Sequence, residues 1–92
     1  MLDKELPESE KNKIISIINA HPKVRGFHNL RTRYTNNEII ELHAEMDSQI
    51  SLLEAHAIAN DVKDRLLEAF PYADILIHQD PKGYDTHDPI RE

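Results

Sequence analysis

Four histidines and one aspartate are the side chains best suited to chemistry in this chain: His28, His43, His56, His78 and Asp80. Imidazole nitrogens and carboxylate oxygens are the ligands that hold borderline divalent metals such as Zn²⁺. His78 and Asp80 are two apart in sequence, which on a β-strand puts both side chains on one face. Each histidine alone is equally typical of a solvated surface, and a single short pattern is a weak signal. The set as a whole predicts a divalent-metal site.

Composition restricts the classes of partner. The chain has 92 residues and a formal net charge of −6, from 17 acidic and 11 basic residues. Nucleic acids and anionic membranes both require a basic face, so this charge favours a cationic ligand instead. The absence of cysteine excludes disulfides and thiolate metal sites. Because there is no apolar run of about 18 residues and no signal-peptide pattern, we expect a soluble chain.

The sequence offers no candidate machinery for catalysis. Its serines lie in helix or turn contexts without a base and an orienting partner, and two glycines are too few for a phosphate-binding loop. Zinc hydrolysis would need a positioned general base, and no residue stands out for that role. We therefore expect that the protein is not an enzyme.

Hydrophobic periods predict five elements. Residues 8–20 carry isoleucines at helical spacing, and residues 24–34 and 38–46 are predicted to form the two strands of a hairpin. A second helix begins at the capping-box serine Ser51 and ends before Pro71. Residues 73–80 are predicted to form a final strand.

The order helix, strand, strand, helix, strand predicts an α+β fold in which two helices cover one face of a three-stranded sheet. The other sheet face remains open, and period two puts His43 on it between Glu41 and Glu45. We expect one domain over residues 1–92, with its core at about residues 8–82 and a loose tail at 83–92.

Four blocks in order give the chain a family likeness. They are residues 21–33 (HPKVRGFHNLRTR), 42–46 (LHAEM), 54–61 (EAHAIAND) and 77–81 (IHQDP). Together they resemble the cytosolic C-terminal domain of cation diffusion facilitator transporters, in the bacterial zinc and ferrous-iron efflux branch. Four ordered blocks are more specific than any single motif.

The resemblance implies a metallochaperone-like, ferredoxin-like fold of the same αββαβ order. It implies a homodimer beneath a membrane domain that exchanges divalent cations for protons, on the cytoplasmic side of the inner membrane. In such domains metal binds near the dimer interface and draws the protomers together. The metal ligands carried over by the resemblance are His28, His43, His56, His78 and Asp80.

Two positions depart from the family pattern. Asn29 stands where the pattern has an acidic residue, and Lys23 replaces a usual glycine. Because charge around a ligand tunes a metal site, the affinity and the preferred metal are open. Zn²⁺ is our first expectation, with Fe²⁺, Mn²⁺, Co²⁺, Ni²⁺ and Cd²⁺ as alternatives.

Three functions fit these observations. The leading hypothesis is a regulatory metal-sensing and dimerisation domain, with His43, His78 and Asp80 as core ligands and His28 and His56 completing a second ion position. A constitutive dimerisation module without metal binding is the second, and a stand-alone metal chaperone or buffer is the third. The residues after Met1 favour a fragment that follows a membrane domain.

Overall fold

The computed structural model describes residues 4–83 and contains the five predicted elements. They are helix α1 (Glu8–Ala20), strands β1 (Gly26–Tyr34) and β2 (Glu38–Met46), helix α2 (Leu52–Ala69) and strand β3 (Asp74–Pro81). The predicted α+β fold and its element order are confirmed. The tail predicted to be loose lies outside the described residues from position 84 onward.

The residues at the start of each helix favour helix formation there. Helix α1 follows Pro7 with an acidic first turn, which suits the helix dipole, and it buries Ile14 and Ile18. Helix α2 is capped by Ser51, whose hydroxyl accepts a hydrogen bond from the Glu54 N–H at 3.0 Å, as the capping box predicts. Neither helix in residues 4–83 is long and apolar enough to cross a bilayer.

The C-terminal end of α1 is fastened to α2 by a buried histidine. His21, 7% exposed, accepts a hydrogen bond at Nδ1 from the Lys23 N–H at 3.1 Å. Its Nε2 therefore carries the proton and donates to Asp61 Oδ2 at 2.8 Å. Both ring nitrogens are thus occupied, Nε2 by the contact to α2 and Nδ1 by the segment that follows α1, which accounts for this histidine without a metal.

Strand β2 is the centre of the sheet, whose order is β1-β2-β3. It pairs antiparallel with β1 through the hairpin, and parallel with β3 because α2 carries the chain back across one face. The core-facing residues of β2 are 0–2% exposed: Ile40, Leu42, Ala44 and Met46. They pack with buried residues of both helices, so the opposite face of the sheet is left open.

A β-bulge interrupts the pairing of β1 with β2. His28 pairs with His43, but the next pair is Arg31 with Glu41, so β1 has one extra residue between them. Asn29 adopts φ 53°, a left-handed conformation that asparagine tolerates better than most residues. Because of the extra residue, His28 and Arg31 both lie on the open face of the sheet.

Candidate metal centre

Three histidines form a row across the open face of the sheet, one from each strand. His28 of β1 pairs with His43 of β2, which pairs in turn with His78 of β3. The His28 and His43 rings stack with centroids 4.9 Å apart, and the His43 and His78 rings with centroids 4.3 Å apart. Stacked rings hold their nitrogens at the ring edges, so polar partners must come from the neighbouring rows of side chains.

Asp80 supplies the carboxylate on which two of these histidines converge. Its Oδ2 lies 2.9 Å from His43 Nδ1 in a hydrogen bond. The same oxygen lies 3.0 Å from His28 Nε2, at ion-pair distance but without the alignment of a hydrogen bond. Asp80 is only 6% exposed, so this carboxylate has lost most of its water and depends on these partners.

The described residues contain one group of three side chains whose ligand atoms lie within 4.8 Å of one another: His28, His43 and Asp80. Zn²⁺ ligands at about 2.0–2.1 Å in tetrahedral geometry lie about 3.3 Å apart. The two contacts to Asp80 Oδ2, at 2.9 and 3.0 Å, would need to lengthen by only about 0.3–0.4 Å to reach that spacing. The donor set therefore fits a borderline divalent cation.

Two further carboxylates hold the outer histidines of the row. Glu45 Oε2 lies 2.7 Å from His28 Nδ1, and Glu41 Oε2 lies 2.9 Å from His78 Nε2. The hydrogen bond to His78 is the main cause that holds the pKa of the Glu41 carboxyl below its usual value of 4.5, against an opposing contribution from burial. Glu41, Glu45 and Asp80 together place three carboxyl groups on this face, so a divalent cation would relieve their mutual repulsion.

The five residues proposed from sequence are not all brought together. His28, His43 and Asp80 converge, and His78 stacks beside them while its Nε2 bonds to Glu41. His78 and Asp80 share one face of β3 as their spacing predicts, but Asp80 reaches across to His43 rather than to His78. His56 lies on an exposed turn of α2, outside the converging group.

Sequence reasoning gave no ligand-supporting role to Glu41 and Glu45. The alternation of β2 places both glutamates beside His43 on the open face. This pattern is the feature of the sequence from which their role could have been predicted. Which imidazole each carboxylate bonds to depends on the neighbouring strands, and no local pattern encodes it.

The chain matches a known family over most of its length. Residues 6–82 match the family model described as cation efflux protein, cytoplasmic domain. Protein p34 of Rickettsia prowazekii (strain Madrid E) is 46% identical over 93 aligned positions, which take in 100% of this chain and 31% of that protein. The cation-efflux pump FieF of Serratia proteamaculans (strain 568) is 48% identical over 82 positions, or 88% of this chain and 27% of the pump. The chain therefore spans about a third or less of these curated relatives.

Solved structures share the fold. The Zn form of CzrB, studied as a zinc transporter, has a TM-score of 0.80 and 25% identity, and the likeness covers 91% of this chain and 98% of that one. A nickel form of a MamM C-terminal-domain variant has a TM-score of 0.76 at 20% identity, over 83% of this chain and 99% of that one. The MamM likeness bears on the fold alone. Both support the metallochaperone-like, ferredoxin-like fold that the family resemblance implied and the αββαβ order that the hydrophobic periods predicted.

Proposed function

The chain belongs to the cation efflux protein family as a cytoplasmic domain, and on that premise we propose that it is the regulatory metal-binding and dimerisation domain of a proton-coupled cation efflux transporter. The observation that carries the proposal is the convergence of His28, His43 and Asp80 from three different strands. The matched family is one of efflux proteins rather than of enzymes.

In this proposal the bound cation holds the acidic side chains of the open face together by electrostatic attraction. Two neutral imidazoles and one carboxylate would bind it, while the carboxylates of Glu41 and Glu45 lie in the rows on either side of the histidines. Binding replaces repulsion among these acids with a shared attraction to the cation. A coupling free energy of about 1–3 kcal/mol between this site and the rest of a transporter would be enough to shift a two-state equilibrium.

The sequence grouped His78 with His43 and Asp80, and His28 with His56. Because His28 is the histidine that converges with His43 and Asp80, we assign His78 and His56 to the second ion position instead. His78 already stacks on His43, and its side chain is 39% exposed, so it is accessible to a second cation. His56 would have to come from another protomer. Next to it on α2 lie Leu52 and Leu53, which are 82% and 80% exposed. Two adjacent exposed leucines are typical of an apolar contact surface, and they support a homodimer in which α2 of one copy approaches the open face of the other.

Zn²⁺ is the proposed ion, because nitrogen and oxygen ligands without thiolates suit it well. The same donors accept Fe²⁺, Mn²⁺, Co²⁺, Ni²⁺ and Cd²⁺, and cellular supply selects among them. The CzrB structure in its Zn form supports this choice for a similar domain.

The test is titration calorimetry of the chain with Zn²⁺. We expect saturable binding by the wild type and its loss in His43→Ala, with Glu38→Ala as a matched control at the far end of the same strand. Imidazoles coordinate only when neutral, so binding should also weaken between about pH 7.5 and pH 5.5. Equal affinity at the two pH values would contradict histidine ligation.

The second candidate is a constitutive dimerisation module that needs no metal. It is favoured by the observation that His28, His43 and His78 each already contact a carboxylate of the chain. Replacing both His78 and Asp80 with alanine separates the two functions. Unchanged dimer association, with or without Zn²⁺, would select the constitutive module.

A further inference from the structure

The contact between Glu45 and His28, beside the converging group, bears on how the His28 ring is oriented. Glu45 lies on β2 two residues after His43, and its Oε2 lies 2.7 Å from His28 Nδ1. The other ring nitrogen, Nε2, faces Asp80 Oδ2 at 3.0 Å. His28 is thus placed between two carboxylates, with a different one at each nitrogen.

The two carboxylates determine the tautomer of His28. An ionised carboxylate only accepts hydrogen bonds, so the short contact to Glu45 requires the proton to be on Nδ1. In neutral His28, the form that can bind a cation, the single N–H is then on Nδ1, and Nε2 is the coordinating nitrogen on the side of Asp80. A lone pair facing a carboxylate oxygen at 3.0 Å is an arrangement that a cation between the two atoms stabilises.

We infer that Glu45 is a positioning residue that fixes Nε2 of His28 as the atom that binds the cation. The inference rests on the proposed metal-binding function and adds to it. A carboxylate that accepts the second N–H of a ligating histidine fixes the ring and raises its basicity, and losing such a partner typically weakens metal affinity by about 10–100-fold.

Glu45 is itself restrained by its surroundings. Gly26 is its partner on β1, and a Cβ added there would lie 3.0 Å from Glu45 Oε1. Lys82 Nζ lies 3.4 Å from the same oxygen. A glycine inside a strand costs conformational entropy, and here its missing side chain leaves the space in which the Glu45 carboxylate lies beside His28.

The experiment compares Zn²⁺ binding by the 92-residue chain with that of Glu45→Ala, Glu45→Gln and Glu38→Ala. We expect Glu45→Ala to bind about 10–100-fold more weakly. Glu45→Gln keeps an acceptor for the Nδ1 proton and should recover part of the loss, and Glu38→Ala should match the wild type. Gly26→Ala keeps every ionisable group but displaces Glu45 Oε1, and should fall between the wild type and Glu45→Ala.

A spectroscopic measurement separates positioning from general damage. At a pH where metal-free His28 is neutral, long-range ¹H–¹⁵N correlation of the imidazoles should show its proton on Nδ1 in the wild type, and a mixture of tautomers in Glu45→Ala. Wild-type affinity in Glu45→Ala, or a proton on Nε2 of wild-type His28, would overturn the inference and leave the metal site intact. Wild-type protein that binds no Zn²⁺ would overturn the proposed function together with this inference.

Discussion

The side chains on the two faces of β2 make different kinds of contact. On one face, Leu42 and Ala44 are fully buried beneath the helices and need only apolar neighbours. On the other face, Glu41, His43 and Glu45 are half-buried and pair with ionisable groups of β1 and β3. Nine residues of one strand therefore serve both the core and the candidate site. Because successive side chains of a strand point to opposite faces, neighbouring residues of β2 contribute either to stability or to the candidate site.

This comparison predicts that substitutions on the two faces have different consequences. Changes on the core face should alter the free energy of unfolding and leave the binding chemistry of the folded protein in place. Changes on the open face should weaken Zn²⁺ binding and have a smaller effect on the free energy of unfolding. Three predictions test this separation, beginning with the largest expected effect, and a fourth provides a reference outside both faces.

Leu42→Ala should destabilise the domain by about 2–5 kcal/mol, because it removes buried carbon atoms and leaves a cavity beneath the helices. Chemical denaturation without metal measures this change. The fraction that remains folded should still bind Zn²⁺. A loss of binding equal to that of His43→Ala would show that the two faces are not separable.

Zn²⁺ should stabilise the wild type by about 2.7 kcal/mol at a hundredfold excess over its dissociation constant. His43→Ala should lose this increment, since it removes the imidazole that bonds to Asp80. Thermal melts with and without Zn²⁺ measure the difference. A wild-type melting curve that Zn²⁺ does not change would count against a cation on the open face.

Asn29→Val should cost about 1–2 kcal/mol, because a β-branched side chain disfavours the left-handed conformation at the bulge. It should also weaken Zn²⁺ binding, since the bulge puts both His28 and Arg31 on the open face. Asn29→Gly tolerates the same backbone and is the control. Equal stability and equal Zn²⁺ affinity for the two variants would show that the bulge does not contribute to the site.

The smallest effect concerns an exposed ion pair that belongs to neither face. Lys11 Nζ lies 2.8 Å from Glu5 Oε1, and this hydrogen bond holds the pKa of the Glu5 carboxyl below its usual 4.5. A lowered folded pKa stabilises the protein above the unfolded value, and that contribution disappears as the pH falls through the folded pKa. In Lys11→Met, carboxyl NMR titration should show the Glu5 pKa rising toward 4.5. Zn²⁺ affinity should not change, and stability should change little, because surface pairs contribute little.

The sequence by itself determined the elements and, for β2 and β3, the side of the strand on which each residue lies. Periodicity placed α1 at residues 8–20 and β2 at residues 38–46, and the structure has the same bounds. The capping serine and the proline beyond each helix located the helix ends. These features depend on residues within a few positions of one another, so a linear pattern carries them.

The tertiary structure alone decided how the candidate site is assembled. The parallel pairing of β2 with β3 aligns His43 with His78, and the bulge at Asn29 sets the face of β1. The pairing of Asp80 with His43 and of Glu45 with His28 follows from that register rather than from sequence spacing. These contacts join residues 17 and 37 positions apart, and their geometry exists only once three strands are packed side by side.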